Sequence, residues 1–251
     1  MLLRTGIHDD PETAVYLNEP RDFACLFPQP RVDYGRYEPR FRQLGLGAYR
    51  RRNEVVERRF AKIVTYFETA RSVLEIGAAD AKFLRYARQE HPHLVIASVE
   101  MDENSRPERD QVEGLAQFAG LPEVASFLAA CRDVPAPGGR LIAEVPSLDD
   151  PLLALFQVPE YGAFYFQRQH PYVYSARSVA RLLGRHGFGV ERVIPNQRYG
   201  LENHLTWLGK RRPGGDEALR GLVEPLDGAY RERLEASGFA DAVIVVAAVE
   251  R

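Results

Sequence analysis

The stretch Ser72-Val-Leu-Glu-Ile-Gly-Ala-Ala-Asp-Ala-Lys-Phe83 carries the most legible chemistry in this chain. Val73, Leu74 and Ile76 form a short apolar run that reads as a buried strand, and Gly77 ends it with backbone freedom that a side chain would resist. Asp80 is placed to cap the helix that follows. A strand that turns so abruptly into a helix lets a ligand approach the backbone at Gly77, Ala78 and Ala79. The positive end of the helix then favours electronegative groups, such as those of a nucleotide or a carboxylate. A second strand, Leu94 to Glu100, ends in an acid about two dozen residues beyond Gly77. At that interval nucleotide-binding βαβ units place a carboxylate on ribose hydroxyls, where it accepts two hydrogen bonds from the diol.

Several elements must hold these residues. Val56, Phe60, Ile63, Val64 and Phe67 share one face of a helix over Asn53 to Phe67 that leads into the first strand. Lys82 to Gln89 continues as a helix until His91 and Pro92 stop it. Gly114 to Phe118 reads as a short strand and Pro122 to Cys131 as a helix. The turn Pro135-Ala-Pro-Gly-Gly139 leads to a strand over Arg140 to Pro146. Ser147 to Gln169 gathers Leu152, Phe156, Tyr161, Phe164, Tyr165 and Phe166 in an inserted, aromatic-lined segment at the carboxyl end of that strand, the edge where open α/β sheets bind ligands. Ser175 caps a helix closed by Gly187. Val190 to Ile194 is a strand, Leu201 to Leu208 reads as a further strand or its extension, Asp216 to Leu234 is largely helical, and Ala240 to Val249 is a last apolar strand.

Ahead of these, the prolines, arginines and aromatics of Met1 to Leu46 read as an extended arm that wraps the core, with Tyr16, Phe23, Phe27, Tyr34, Tyr37 and Phe41 arguing against disorder. The expected organisation is an arm or cap over residues 1–52 and an α/β domain over 53–251, with the aromatic insertion at about 147–174.

With 251 residues and a net charge of −2, the chain can bury a sizeable core and offers no general attraction to nucleic acid or an anionic membrane. No apolar run approaches a membrane span and the N-terminus lacks a signal-peptide core, so a soluble cytoplasmic protein is expected. Cys25 and Cys131 are far apart and imply neither a disulfide framework nor a zinc site. HExxH, CxxC, a Walker loop and a G-x-S-x-G elbow are all missing, and no metal ligands are assigned.

The pattern E-h-G-x-x-x-x-x-F, anchored on Glu75 and Gly77 with Phe83 packing the helix back, resembles motif I of class I S-adenosylmethionine-dependent methyltransferases. That family commonly has further glycines where this chain has Ala79 and Ala81. His170-Pro-Tyr-Val-Tyr-Ser175 before a helix ending in His-Gly-Phe188 is similar to a bacterial group that includes sugar C-methyltransferase-like proteins, over about Arg140 to Trp207. The resemblance implies a Rossmann-like, doubly wound, mostly parallel sheet with an antiparallel last strand, and S-adenosyl-L-methionine as cofactor. Glu75, Gly77, Ala78 and Ala79 would hold its methionyl end and Glu100 its ribose, while Met101 packs on adenine and Asp102 binds the adenine amino group. The interval Glu103 to Gly139 is too short for the two strands and two helices the family places there. A central strand is therefore expected to be missing, through loss of a segment near Ala119 to Glu123.

Methyl transfer from a sulfonium needs in-line geometry and, for weakly acidic acceptors, a base. His170 and His204 are the candidate bases, Glu202 would orient a histidine, and Tyr165 or Tyr172 would hold a small-molecule acceptor, with a sugar or polyketide-like compound in view. Two other readings stand beside this one. The first is a degenerate methyltransferase fold kept as a binding or scaffolding protein. The second is a nicotinamide-dependent oxidoreductase, which the missing G-x-G-x-x-G spacing disfavours.

Overall fold

The computed structural model describes residues 1–8, 10–30, 46–78, 81–100, 116–117, 124–133, 135 and 138–249, without side-chain placement at 46–53, 100 and 116–117. The chain divides into two compact units, Val32–Pro122 and the combination of Met1–Arg31 with Glu123–Arg251. No described helix is long and apolar enough to cross a membrane.

In the Val32–Pro122 unit, a long helix α1 (Leu46–Phe67) precedes β4 (Ser72–Ile76), α2 (Lys82–Glu90), β5 (Val95–Glu100) and the short β6 (Ala116–Gln117). The strands form a parallel sheet in the order β4-β5-β6. The apolar face of α1 was readable from its spacing: Val56, Phe60, Ile63 and Phe67 are all buried. Strand β4, expected to be buried, is only partly so, with Leu74 41% and Ile76 40% exposed. Leu74 and Ile76 share one face of the strand, and among the described residues that face lacks the full cover that parallel strands usually have.

The other unit opens with β1 (Leu2–Ile7), β2 (Asp10–Leu17) and β3 (Phe23–Phe27). The segment read as an extended arm thus contains an antiparallel meander, and β8 (Tyr172–Tyr174) joins its edge in the order β1-β2-β3-β8. Period-2 patterning explains it. Thr13, Val15 and Leu17 point inward while Tyr16 points out, and Ala24, Leu26 and Val173 continue the buried face. The turn between β2 and β3 is set by Asn18, whose Oδ1 accepts from the N–H groups of Asp22 and Phe23, both at 3.0 Å. Tyr34, Tyr37 and Phe41 lie outside the described residues.

The remaining elements of this unit are α3 (Val124–Asp133), β7 (Arg140–Pro146), the short helices α4 (Pro151–Ala154) and α5 (Pro159–Tyr165), α6 (Ala176–Arg185), β9 (Phe188–Asn196), α7 (Leu201–Lys210), α8 (Glu217–Val223), α9 (Asp227–Ala236) and β10 (Ala242–Val249). Strand β10 runs antiparallel between β7 and β9, as expected of the last strand. Its inward row Val243, Val245 and Ala247 packs on Leu128 and Cys131 of α3 and on Val179 and Leu183 of α6.

Within the described residues β4-β5-β6 is a parallel ladder and the other sheets are antiparallel, so the architecture is Rossmann-like α/β with both parallel and antiparallel pairing. One expectation is corrected. Leu201 to Leu208 is helix α7, not a strand: Leu201, Leu205 and Leu208 fit the helical period, and Arg211 ends the turn in a left-handed conformation. The aromatic insertion also packs more tightly than a ligand-lining segment would, since Tyr161 clusters with Leu152, Val158 and Trp207, and Phe166 enters the core of the four-stranded sheet.

Helix α6 begins as its sequence predicts. The Ser175 hydroxyl oxygen accepts from Ser178 N–H at 3.1 Å, and Asp149 accepts from Ala176 N–H at 3.0 Å. Replacing Ser175 by alanine is expected to cost about 1 kcal/mol, with the Asp149 contact preserving the helix. A urea midpoint unchanged from wild type would show that the cap contributes nothing.

Candidate functional site

The strand-to-helix turn after β4 has the geometry of a close-approach site. Ile76 pairs with Val99, and Gly77 N–H donates to Val99 O at 2.7 Å, so Gly77 and Glu100 stand side by side at the carboxyl edge of the parallel sheet. Gly77 has φ +76°, and a Cβ built on it would meet no atom within 4 Å among the described residues. Its amide is taken up by β5, so what it offers a ligand is space. Ala81 is the N-cap of α2 and adopts φ 54°, a left-handed conformation, with no side-chain capping bond. Among the described residues no side chain caps the first-turn N–H groups of α2, and Asp80, expected to cap this helix, lies outside them. Left-handed backbone at alanine costs roughly 1–2 kcal/mol. Alanine thus takes up, under strain, the angle that a glycine would adopt freely.

A second polar assembly lies at one rim of the β7-β10-β9 sheet. Ala242 pairs with both Pro146 and Asn196, so the carboxyl ends of β7 and β9 and the amino end of β10 are level. Asp241, fully buried, accepts from Arg198 N–H and from Arg198 Nε–H, each at 2.6 Å. Its own N–H donates to Gln197 Oε1 at 3.1 Å. That bond orients the Gln197 amide, whose Nε2 donates to Tyr199 O at 2.8 Å and faces His204 Nε2 at 3.3 Å. His204 must then accept at Nε2 and carry its proton on Nδ1, which lies 2.7 Å from the Tyr230 hydroxyl. The imidazole is 1% exposed. Burial lowers its pKa to about 4 even though Asp241 and Asp227 pull the other way.

Close by in the chain, Asp150 caps α4 and is also fully buried. Its carboxylate accepts from Leu152 N–H and from the Tyr161 hydroxyl, both at 2.7 Å. Burial first and the Asp241 charge second raise its carboxyl to about 7, against the pull of those hydrogen bonds. Burial works against the Arg198 charge, but Asp241, Tyr199 and Glu144 hold its pKa well above the usual value.

The profile of a family described as "Methyltransferase domain" matches residues 48–193, more than half of the chain. This chain belongs to the methyltransferase domain family. S-adenosylmethionine is the cofactor that goes with this family and fold. A SAM-dependent methyltransferase from Archaeoglobus fulgidus superposes with TM-score 0.50 at 15% identity, over 77% of this chain and 93% of that one. Phosphoethanolamine N-methyltransferase 2 from Haemonchus contortus, in complex with S-adenosyl-L-methionine, superposes with TM-score 0.51 at 13% identity, over 91% of this chain and 62% of that one. Such identities establish a shared fold. A search of curated protein sequences finds no match.

The residues of this chain that the sequence singles out fall into several positions. Gly77 and Glu100 are brought together by strand register, Ala78 is buried behind the turn, and Glu75 is half-buried on β4. The open approach at Gly77 and the acid beside it suit a cofactor with an amino-acid tail and a ribose. Phe83 serves packing, with its ring 6.1 Å from Phe60 and 5.9 Å from Phe67. Ala79, Met101 and Asp102 lie outside the described residues, as does the side chain of Glu100.

Of the candidate acceptor-side residues, His170 is exposed in the turn before β8. Desolvation on its protein side and the Arg198 charge lower its pKa to about 4. Tyr172 lies in β8, where its hydroxyl accepts from Gln29 at 3.0 Å and its ring stacks on Phe23. Glu202 touches neither histidine: it binds Thr206, Asp216 N–H and Arg220, tying α7 to the start of α8. Sequence reading singled out His204 and Glu202 in this region but missed Arg198, Asp241 and Asp150. Spacing alone could not show that Arg198 and Asp241 meet.

Asp150 gives a pH signature. Its folded carboxyl binds a proton more readily than an unfolded aspartate with a pKa of about 3.9, so its contribution to stability is greatest at low pH and is lost as pH rises toward 7. His204 acts oppositely, losing stability as pH falls below about 6.5. Comparison with Asp150→Asn isolates the first effect. Relative to wild type, the variant's unfolding free energy should rise by about 2–3 kcal/mol between pH 5 and pH 8. A difference that stays flat across this range in urea titrations would contradict the assignment.

Proposed function

We propose that this chain transfers a methyl group from S-adenosylmethionine to a small-molecule acceptor, with sugar and polyketide-like compounds as the classes to screen first. The observation that carries this reading is the register that sets Gly77 beside Glu100 at the carboxyl edge of β4 and β5, within a match to the methyltransferase domain family. When bound, the cofactor supplies an electrophilic methyl group on a sulfonium. Glu75, the backbone of Gly77, Ala78 and Ala79, and the first turn of α2 would hold the amino-acid tail. Glu100 would accept from the ribose diol, and Met101 and Asp102 would contact adenine. His170, exposed and neutral at pH 7, is the better placed of the two histidines to accept a proton, because both ring nitrogens of His204 are engaged. The protein is taken to be cytoplasmic, without nucleic acid or membrane as its main partner.

Isothermal titration with S-adenosylhomocysteine tests the cofactor assignment: one-to-one binding is expected, and absence of binding by folded protein would sink it. A second reading, a methyltransferase fold kept for binding, is motivated by Ala81, which is strained where the family has glycine. We hold to the loss of a central strand, although the segment Ala119 to Glu123 lies outside the described residues. Cofactor binding without transfer of labelled methyl to any acceptor in a broad panel would favour this second reading.

A further inference from the structure

We propose that Arg198 is an anion-binding residue at the rim of the β7-β10-β9 sheet, so that this chain takes a small molecule carrying a carboxylate or a phosphate group. That this ligand is the methyl acceptor rests on the methyltransferase reading and adds the chemical class of the substrate.

Arg198 follows the carboxyl end of β9, at the rim where β7 ends and β10 begins. It is held from behind. One Asp241 oxygen takes its main-chain N–H and the other its Nε–H, while the buried Asp241 carboxylate is itself anchored through its N–H to Gln197. Among the described residues, neither terminal nitrogen of the guanidinium makes a hydrogen bond, and the side chain is 31% exposed. The two N–H groups of a planar fork are thus preorganised and open, which is the arrangement that takes a carboxylate or phosphate in bidentate fashion. The Tyr199 ring, itself 47% exposed, lies 5.8 Å from the guanidinium carbon and gives an apolar edge to the same place.

A purely structural ion pair would need only the inner side of the fork. Asp241 and Glu144 both offset the charge, but Asp241 engages only Nε and the main chain. The outward nitrogens remain for a ligand whose affinity is set mainly by geometry.

The test is calorimetric titration of benzoate, phenyl phosphate and neutral benzamide into protein saturated with S-adenosylhomocysteine. It compares wild type, Arg198→Gln, Arg198→Lys and, as a control on exposed β9, Arg192→Gln. Wild type and the Arg192 variant should bind at least one anion and not benzamide, and whichever binds tells carboxylate from phosphate. Arg198→Gln should weaken that binding by about tenfold or more, and Arg198→Lys, which keeps the charge but loses the fork, by a smaller factor. S-adenosylhomocysteine affinity should stay within about twofold. If Arg198→Gln does not fold, the lysine variant decides. The proposal is overturned if wild type binds neither anion, or if Arg198→Gln or a folded Arg198→Lys binds as wild type does. Absence of S-adenosylhomocysteine binding would instead sink the methyltransferase reading, while loss of anion binding in Arg198→Gln would still stand on its own.

Discussion

Replacing Gly77 by leucine is expected to abolish binding of S-adenosylhomocysteine while leaving the protein folded. Among the described residues a Cβ at this position meets no atom within 4 Å, so they leave room for a side chain. The left-handed φ of +76° adds a strain of roughly 1–2 kcal/mol, which a protein of this size survives with a modest fall in Tm. The cofactor has no such tolerance, because the leucine side chain would occupy the approach that glycine leaves open beside Glu100. Calorimetry with S-adenosylhomocysteine, paired with thermal unfolding of the same sample, checks both halves. Affinity within threefold of wild type would show that the cofactor does not pass over Gly77.

The second large effect is on stability. Asp241→Asn is expected to cost about 3 kcal/mol, a fall in Tm of roughly 6–12 °C. Both Asp241 oxygens accept from Arg198, so an asparagine must point its NH₂ at one of two donors, the main-chain N–H or Nε–H, in a fully buried position. The loss of charge attraction is the smaller part, since the Arg198 side chain is 31% exposed and partly screened. The same substitution releases Arg198 from its backing, so anion binding should weaken along with stability. A urea-derived loss below about 0.5 kcal/mol would mean that the buried pair does not organise this rim.

What the sequence revealed was what local pattern controls. The apolar spacing of α1, the Ser175 cap, the strands on either side of the turn at Gly77 and the last apolar strand are each written in a few consecutive residues, and each is present. The same locality explains the errors. Alternation in Leu201 to Leu208 fits a strand or a helix about equally, and the helix is settled by contacts from afar, such as Asp227 accepting from Leu201 N–H at 2.8 Å. Prolines at the N-terminus pointed to an extended arm, yet Thr13, Val15 and Leu17 alternate well enough to form a strand once β3 is beside them. The polar rim was the least readable feature. Arg198 and Asp241 lie 43 positions apart and meet only because β10 inserts between β7 and β9. Asp150 looked like an ordinary loop acid before Pro151, and only its burial makes it a titrating group.

The most direct test of the account is a crystal structure of the protein with S-adenosylhomocysteine. It should show the amino-acid tail over Gly77 and the first turn of α2, with the ribose hydroxyls on the Glu100 carboxylate. Ligand density elsewhere on the molecule, or a ribose that leaves Glu100 untouched, would contradict it.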